Sequence, residues 1–199
     1  MTPGAFEDLR VLDLSDRLSG AYCARLFGDY GADVLLLEPP EGHVLRREPP
    51  FLDDVPGPNR SLLHAYVNAN KRSRIAPADA ADLAIHIAEA DVIVTTTTPW
   101  SPALREALEA KRPDAVHVSV TPFGLGGPLA GAPANNLIHS AMSGWADICG
   151  VEGEPPLQLP PRQFDYLAGS PPLSAPPARS CVATLPAKGL SSTRVNSRR

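Results

Sequence analysis

Residues 9–40 read LRVLDLSDRLSGAYCARLFGDYGADVLLLEPP, and their pattern decides the fold. Leu9 to Leu14 is an apolar run broken only by Arg10 and Asp13, short enough for a buried strand. Ser19 has the chemistry of an N-cap for a helix over Gly20 to Tyr30, whose apolar positions Ala21, Ala24, Leu26 and Phe27 share a face, and Gly31 is placed to end it. Ala32 to Glu38 then reads as a second buried strand, stopped by Pro39 and Pro40. Strand, helix and strand within about thirty residues make a βαβ unit, which implies parallel strands with both sheet faces covered.

The pattern recurs outward from this unit. Residues 78–90 predict a helix, Asp91 to Thr98 a β-branched strand, Ser101 to Lys111 a helix, Ala115 to Thr121 a strand, and Asn135 to Cys149 a further helix. The expected fold is therefore α/β, a Rossmann-like parallel sheet with flanking helices over residues 8–169. Residues 39–75 form a polar connection rich in Pro and Arg, too long for an idle loop and so expected to be a binding surface. Open parallel sheets bind ligands beyond the carboxyl ends of their strands, which puts the site after Leu14, Glu38, Thr98 and Thr121. The one glycine cluster, Gly124-Leu-Gly-Gly127, lacks the G-x-G-x-x-G spacing and speaks against a dinucleotide.

The net charge of −4 conceals an asymmetry: residues 170–199 contribute five basic side chains and no acidic one, leaving −9 for residues 1–169. An acidic main domain argues against nucleic acid as a partner. Residues 170–199 also hold five prolines, six serines and no aromatic residue, a composition expected to form a disordered tail. Cys23, Cys149 and Cys181 are odd in number and widely spaced, as expected of reduced thiols in a cytoplasmic protein. No apolar run reaches membrane-spanning length, so no membrane partner is expected.

Three places carry candidate chemistry. Asp165 lies among Phe164, Tyr166, Leu167 and Ala168, where desolvation disfavours its charge and sharpens a carboxylate nucleophile; taken by residue type alone, an aspartate in such a setting is more often a helix cap. Arg46, beyond the second strand and Gly42, suits bidentate grip on phosphate or plain solvation beside Arg47 and Glu48. Lys71, Arg72 and Arg74 are a basic cluster in an acidic domain, either a ligand contact or a surface charge run. His43, His64, His86, His117 and His139 share no metal-ligand spacing, so no metal is expected.

Taken in order, Leu12-Asp-Leu-Ser, Ser19-Gly, Gly31-Ala-Asp-Val, Glu38-Pro-Pro-Glu-Gly42, Arg46, Asn70-Lys-Arg-Ser73, Ala90-Asp-Val92, Phe123-Gly-x-x-Gly-Pro128, Ser143-Gly144 and Asp165-x-x-x-Gly169 resemble the family III CoA-transferases, whose fold α-methylacyl-CoA racemase shares. The resemblance implies that Asp165 is the nucleophile: it would attack an acyl-CoA thioester, form a mixed anhydride, and pass through an enzyme-bound CoA thioester that a free carboxylic acid resolves. It also implies that Arg46, Lys71, Arg72 and Ser19 contact coenzyme A, which is a substrate thioester and not a resident cofactor. Family members are interlocked homodimers.

Departures from the family pattern bear on subclass. The racemase branch needs a histidine where this chain has Asn135, which cannot exchange a proton near neutral pH; His139, one turn on, is expected to be a surface or core residue. Thr95-Thr96 stands where many relatives carry Glu-Asn. The resemblance stops at Gly169, so the chain is expected to hold the N-terminal part of the large domain, with Asp165 at a frayed, solvated edge. The rival expectation is a truncated or frameshifted, non-catalytic product.

Overall fold

The structure, a computed structural model, describes residues 4–75, 80–96, 106–107, 110, 115–170 and 182–185. β1 (Arg10–Asp13), α1 (Leu18–Asp29) and β2 (Asp33–Glu38) form the expected βαβ unit. α2 (Leu62–Val67) and β3 (Lys71–Ile75) follow, then α3 (Ala80–Glu89), β4 (Val92–Thr95), β5 (Val116–Val120), α4 (Asn136–Met142), α5 (Trp145–Ile148), α6 (Gln163–Gly169) and β6 (Val182–Leu185). Among the described residues the strands make one sheet ordered β3-β2-β1-β4-β5-β6; β1 to β5 are parallel and β6 runs antiparallel to β5.

The sheet is buried on both faces at its centre, which is why its strands read as apolar runs. Val11, Val34, Val92, Val94, Val118 and Val120 meet Cys23, Ala24 and Phe27 of α1 on one face. Leu12 and Ile93 meet Ile87 and Ala90, at the end of α3, on the other. Helices on opposite faces close the core on both sides.

Four expectations change. α1 begins at Leu18 with Arg17 as its N-cap, so Ser19 lies inside the first turn instead of capping it. The connection 39–75 is not one loop: it holds α2 and the edge strand β3, whose sequence Lys-Arg-Ser-Arg-Ile has no apolar alternation because four of its five residues are exposed. The helix expected over Asn135–Cys149 is two, since Gly144 adopts φ 80° between α4 and α5, a left-handed turn that a side chain would strain. Residues 182–185 form a strand in what the composition presents as tail; the rest of 171–199, and the helix expected over 101–111 apart from residues 106, 107 and 110, lie outside the described residues.

Candidate active site

A cavity of about 330 Å³ opens where the chain leaves β1, β2 and β5, lined by Asp16 and Arg17 after β1, Val44 and Leu45 after β2, and Thr121 after β5. Asp165 faces it from the first turn of α6, with Asn135 and His139 of the α4 segment opposite. The carboxyl ends of the parallel strands thus carry the site, as their topology requires.

Asp165 is placed by a helix that the sequence reading left undocked. The turn into α6 is made by Arg162 at φ 71°, whose carbonyl accepts the Asp165 N–H at 3.1 Å. One turn past Asp165, Gly169 lies against α1 so closely that a Cβ there would stand 2.4 Å from the Ser19 carbonyl oxygen and 3.1 Å from the Cys23 nitrogen. Tyr166 packs edge-on against Tyr22 of α1, ring centroids 4.9 Å apart. The Asp-x-x-x-Gly spacing therefore has a physical reason: glycine one turn after the aspartate lets α6 seat on α1, which turns Asp165 into the cavity. Burial pushes the Asp165 carboxyl above its ordinary value, while the charges of His139, Arg162 and Arg17 pull it back. Among the described residues its carboxylate accepts no hydrogen bond.

The other predicted site residues separate. Ser19 lines the cavity and is 7% exposed. Arg46 does not line it: Nε and Nη2 bind the Glu38 carboxylate at 2.6 and 2.7 Å, and Nη1 donates to the Pro58 carbonyl and to Asn59 Oδ1. Burial of Glu38 works against its charge, but the hydrogen bonds from Arg46, the Ser73 hydroxyl and the His43 N–H, with the Arg46 charge, hold its carboxyl down at about 2.

Lys71 and Arg72 depart furthest from expectation. Neighbours on a strand point to opposite faces, so they form no common cluster. Lys71 is buried and spends its three donors on Asp13, the Ala21 carbonyl and Asn68 Oδ1, at 2.7, 2.8 and 2.7 Å, leaving none for a phosphate. Arg72 forks onto Asp33 at the amino end of β2, away from the cavity.

Three cavity residues escape the sequence reading. Arg17 carries a signal in hindsight, standing just past β1. His139 lies between Phe123 and Phe164, ring centroids 5.7 and 5.9 Å away, and so belongs to the cavity and not to an idle surface. Thr121 closes β5 with its hydroxyl buried. Asn135 spends its side-chain oxygen capping α4, accepting the Ile138 N–H at 3.0 Å. Burial pushes the Cys23 thiol well up, as befits a packed hydrophobe. Among the described residues no group of three or more His, Cys, Asp or Glu side chains is placed to hold a metal ion, and no helix is long and apolar enough to cross a membrane.

A sequence model described as CoA-transferase family III matches residues 6–174. The chain belongs to CoA-transferase family III. Within the family it is 36% identical over 176 residues to a succinyl-CoA:(R)-benzylsuccinate CoA-transferase subunit of Thauera aromatica, covering 82% of this chain and 42% of that protein. It is 33% identical over 172 residues to a succinyl-CoA:mesaconate CoA-transferase of Haloarcula marismortui, covering 79% and 43%. The crystal structure of a CaiB/BaiF family protein from Brucella suis superposes with a TM-score of 0.72 at 27% identity, covering 84% of this chain and 47% of that one. This family III chain spans less than half the length of these relatives.

Proposed function

We propose that the site serves transfer of coenzyme A from an acyl-CoA to a free carboxylic acid, with Asp165 as nucleophile. The observation that carries the reading is the Asp165 carboxylate turned into a cavity by the seating of Gly169 on α1, with no hydrogen bond among the described residues to blunt it. An Asp165 oxygen attacks the thioester carbonyl, the C–S bond breaks, and CoA leaves as thiolate while a mixed anhydride forms. The thiolate attacks the aspartyl carbonyl, releases the first acid as carboxylate, and leaves an aspartyl-CoA thioester. The acceptor carboxylate attacks that thioester, expelling thiolate, and the new anhydride yields the second acyl-CoA and free Asp165 when the thiolate returns.

Ser19, in the cavity wall, is the contact with CoA we retain from the family pattern. Arg46, outside the cavity wall, is retained as a second CoA contact from the family pattern, because the second Nη2 hydrogen is not used by its bonds to Glu38, Pro58 and Asn59. A homodimer accords with the exposed apolar side chains of Leu137, Met142, Trp145 and Ile148 on α4 and α5. Cys23 and Cys149 as free thiols accord with a cytoplasmic setting.

The test is trapping on the 199-residue chain. Incubation with succinyl-CoA and hydroxylamine should convert Asp165 to its hydroxamate, read by peptide mass spectrometry, and Asp165→Asn should abolish it. CoA binding without any hydroxamate would instead support a non-catalytic, CoA-binding product. His139 in the cavity favours one further reading, epimerisation at the acyl α-carbon, which deuterium incorporation from solvent into the recovered acyl-CoA would reveal.

A further inference from the structure

We propose that the side-chain amide of Asn136 is the group that aims Asp165, a positioning residue acting through the backbone of α6. This rests on the reading of Asp165 as nucleophile and adds to it the group that sets its direction. Asn136 opens α4, is half-buried, and shares the cavity wall with Asp165. Its Oδ1 accepts the Phe164 N–H at 3.3 Å, and its Nδ2 donates to the carbonyls of Leu159 and Pro160 at 3.2 and 3.3 Å. All three contacts fall on the segment leading into α6 and on the residue before Asp165.

α6 needs such a partner. Its N-cap, Arg162, supplies no side-chain hydrogen bond and stands at φ 71°, a left-handed conformation that a side chain disfavours and that persists only where the surroundings fix it. The first N–H groups of a helix have no acceptor within it. At α6 the Arg162 carbonyl takes that of Asp165, and Asn136, 28 residues earlier, takes that of Phe164. Arg162 Nη2 is in turn held by Glu48 at 2.8 Å, so the turn is gripped from two separate parts of the chain.

The clamp requires an amide. One N–H and two carbonyls face the same side-chain end, so the group that meets them must accept once and donate twice, which asparagine does and aspartate cannot. Reversed, the amide would set its oxygen against two carbonyls and its nitrogen against an N–H, so its partners allow one orientation. A carboxylate here would push the segment away and Asp165 with it, and a displacement of about 1 Å at a reacting atom costs up to about a hundredfold in rate. With Asn135 accepting the Ile138 N–H, the two adjacent asparagines cap both α4 and α6.

Two measurements on the 199-residue chain decide it. Amide exchange followed by NMR should quicken at least about tenfold at Phe164 in Asn136→Ala, with the amides of β1 and β4 unchanged. Hydroxamate formation at Asp165 from saturating succinyl-CoA, counted per CoA-binding site found by calorimetry, should fall at least about tenfold in both Asn136→Ala and Asn136→Asp, while half-saturation stays within about twofold. Unchanged exchange at Phe164, trapping at the native rate in either variant, or a loss seen in half-saturation instead of rate would overturn the proposal. Exchange that quickens equally in β1 marks a role in general stability and overturns it too. Absence of hydroxamate in the native chain sinks the transfer reading, and exchange at Phe164 then decides the Asn136 clamp by itself.

Discussion

The ammonium of Lys71 lies 2.7 Å from Asp13 Oδ2, with the two side chains 1% and 0% exposed. This pair ties the edge strand β3 to the end of β1 across β2, and Asp13 Oδ1 also accepts the Ser15 N–H that begins the loop toward the cavity. Removing the lysine strands a buried carboxylate. Lys71→Met is expected to destabilise the fold by about 3–5 kcal/mol, and Lys71→Met with Asp13→Leu to recover most of it, both read from urea unfolding. A loss in Lys71→Met confined to CoA affinity would show that the lysine is a ligand contact after all.

Gly169→Ala tests the seating of Asp165. With a Cβ directed at the Ser19 carbonyl from 2.4 Å, backbone must move, at a cost of about 1–3 kcal/mol. The melting temperature should fall and hydroxamate formation at Asp165 should drop with it. Gly124→Ala is the control for left-handed glycine without crowding, since nothing lies within 4 Å of its Cβ position at φ 79°; it should cost stability while sparing Asp165.

Arg46→Ala should act first on stability. Its guanidinium holds Glu38, which is 1% exposed, and the loss of one partner of a buried, bidentate pair costs about 3–5 kcal/mol. Unfolding of Arg46→Ala and Glu38→Gln measured side by side should give losses of similar size. An unchanged stability in Arg46→Ala alongside weakened CoA binding would return Arg46 to a purely ligand-facing role.

Acid should unfold the chain in two windows. Burial, with the charge of Arg46, lowers His64 from 6.5 to about 4, and burial lowers His117 to about 4, so below pH 6.5 the unfolded chain takes up protons that the folded one refuses. Stability is therefore lost as pH falls from about 6.5 to 4. Glu38, held at about 2 against an ordinary 4.5, adds a second loss between 4.5 and 2, because only the unfolded chain accepts its proton there. Melting temperatures across pH should show both slopes, and His64→Phe should flatten the first; an identical slope in that variant would exclude His64 as its source.

The order of elements, the parallel sheet and the family were legible in the sequence because they rest on local signals. β1, β2, β4 and β5 announce themselves as short apolar runs, since strands buried on both faces must be apolar, and turn residues such as Gly31 and Pro39 punctuate them. Asp165 stood out for the same reason, a carboxylate in apolar company with a glycine one turn on. Tertiary structure alone decided which charges are paired within the protein. Lys71, Arg72 and Arg46 look alike in sequence as free cations, yet each is held by a carboxylate of the sheet, Asp13, Asp33 or Glu38. β3 stayed hidden because an edge strand is held by its neighbour's hydrogen bonds and by such pairs, not by apolar alternation. The pairing of Lys71 with Asp13 and of Arg72 with Asp33, 58 and 39 positions apart, depends on how strands order themselves in the sheet, and no local pattern of side chains encodes that distance.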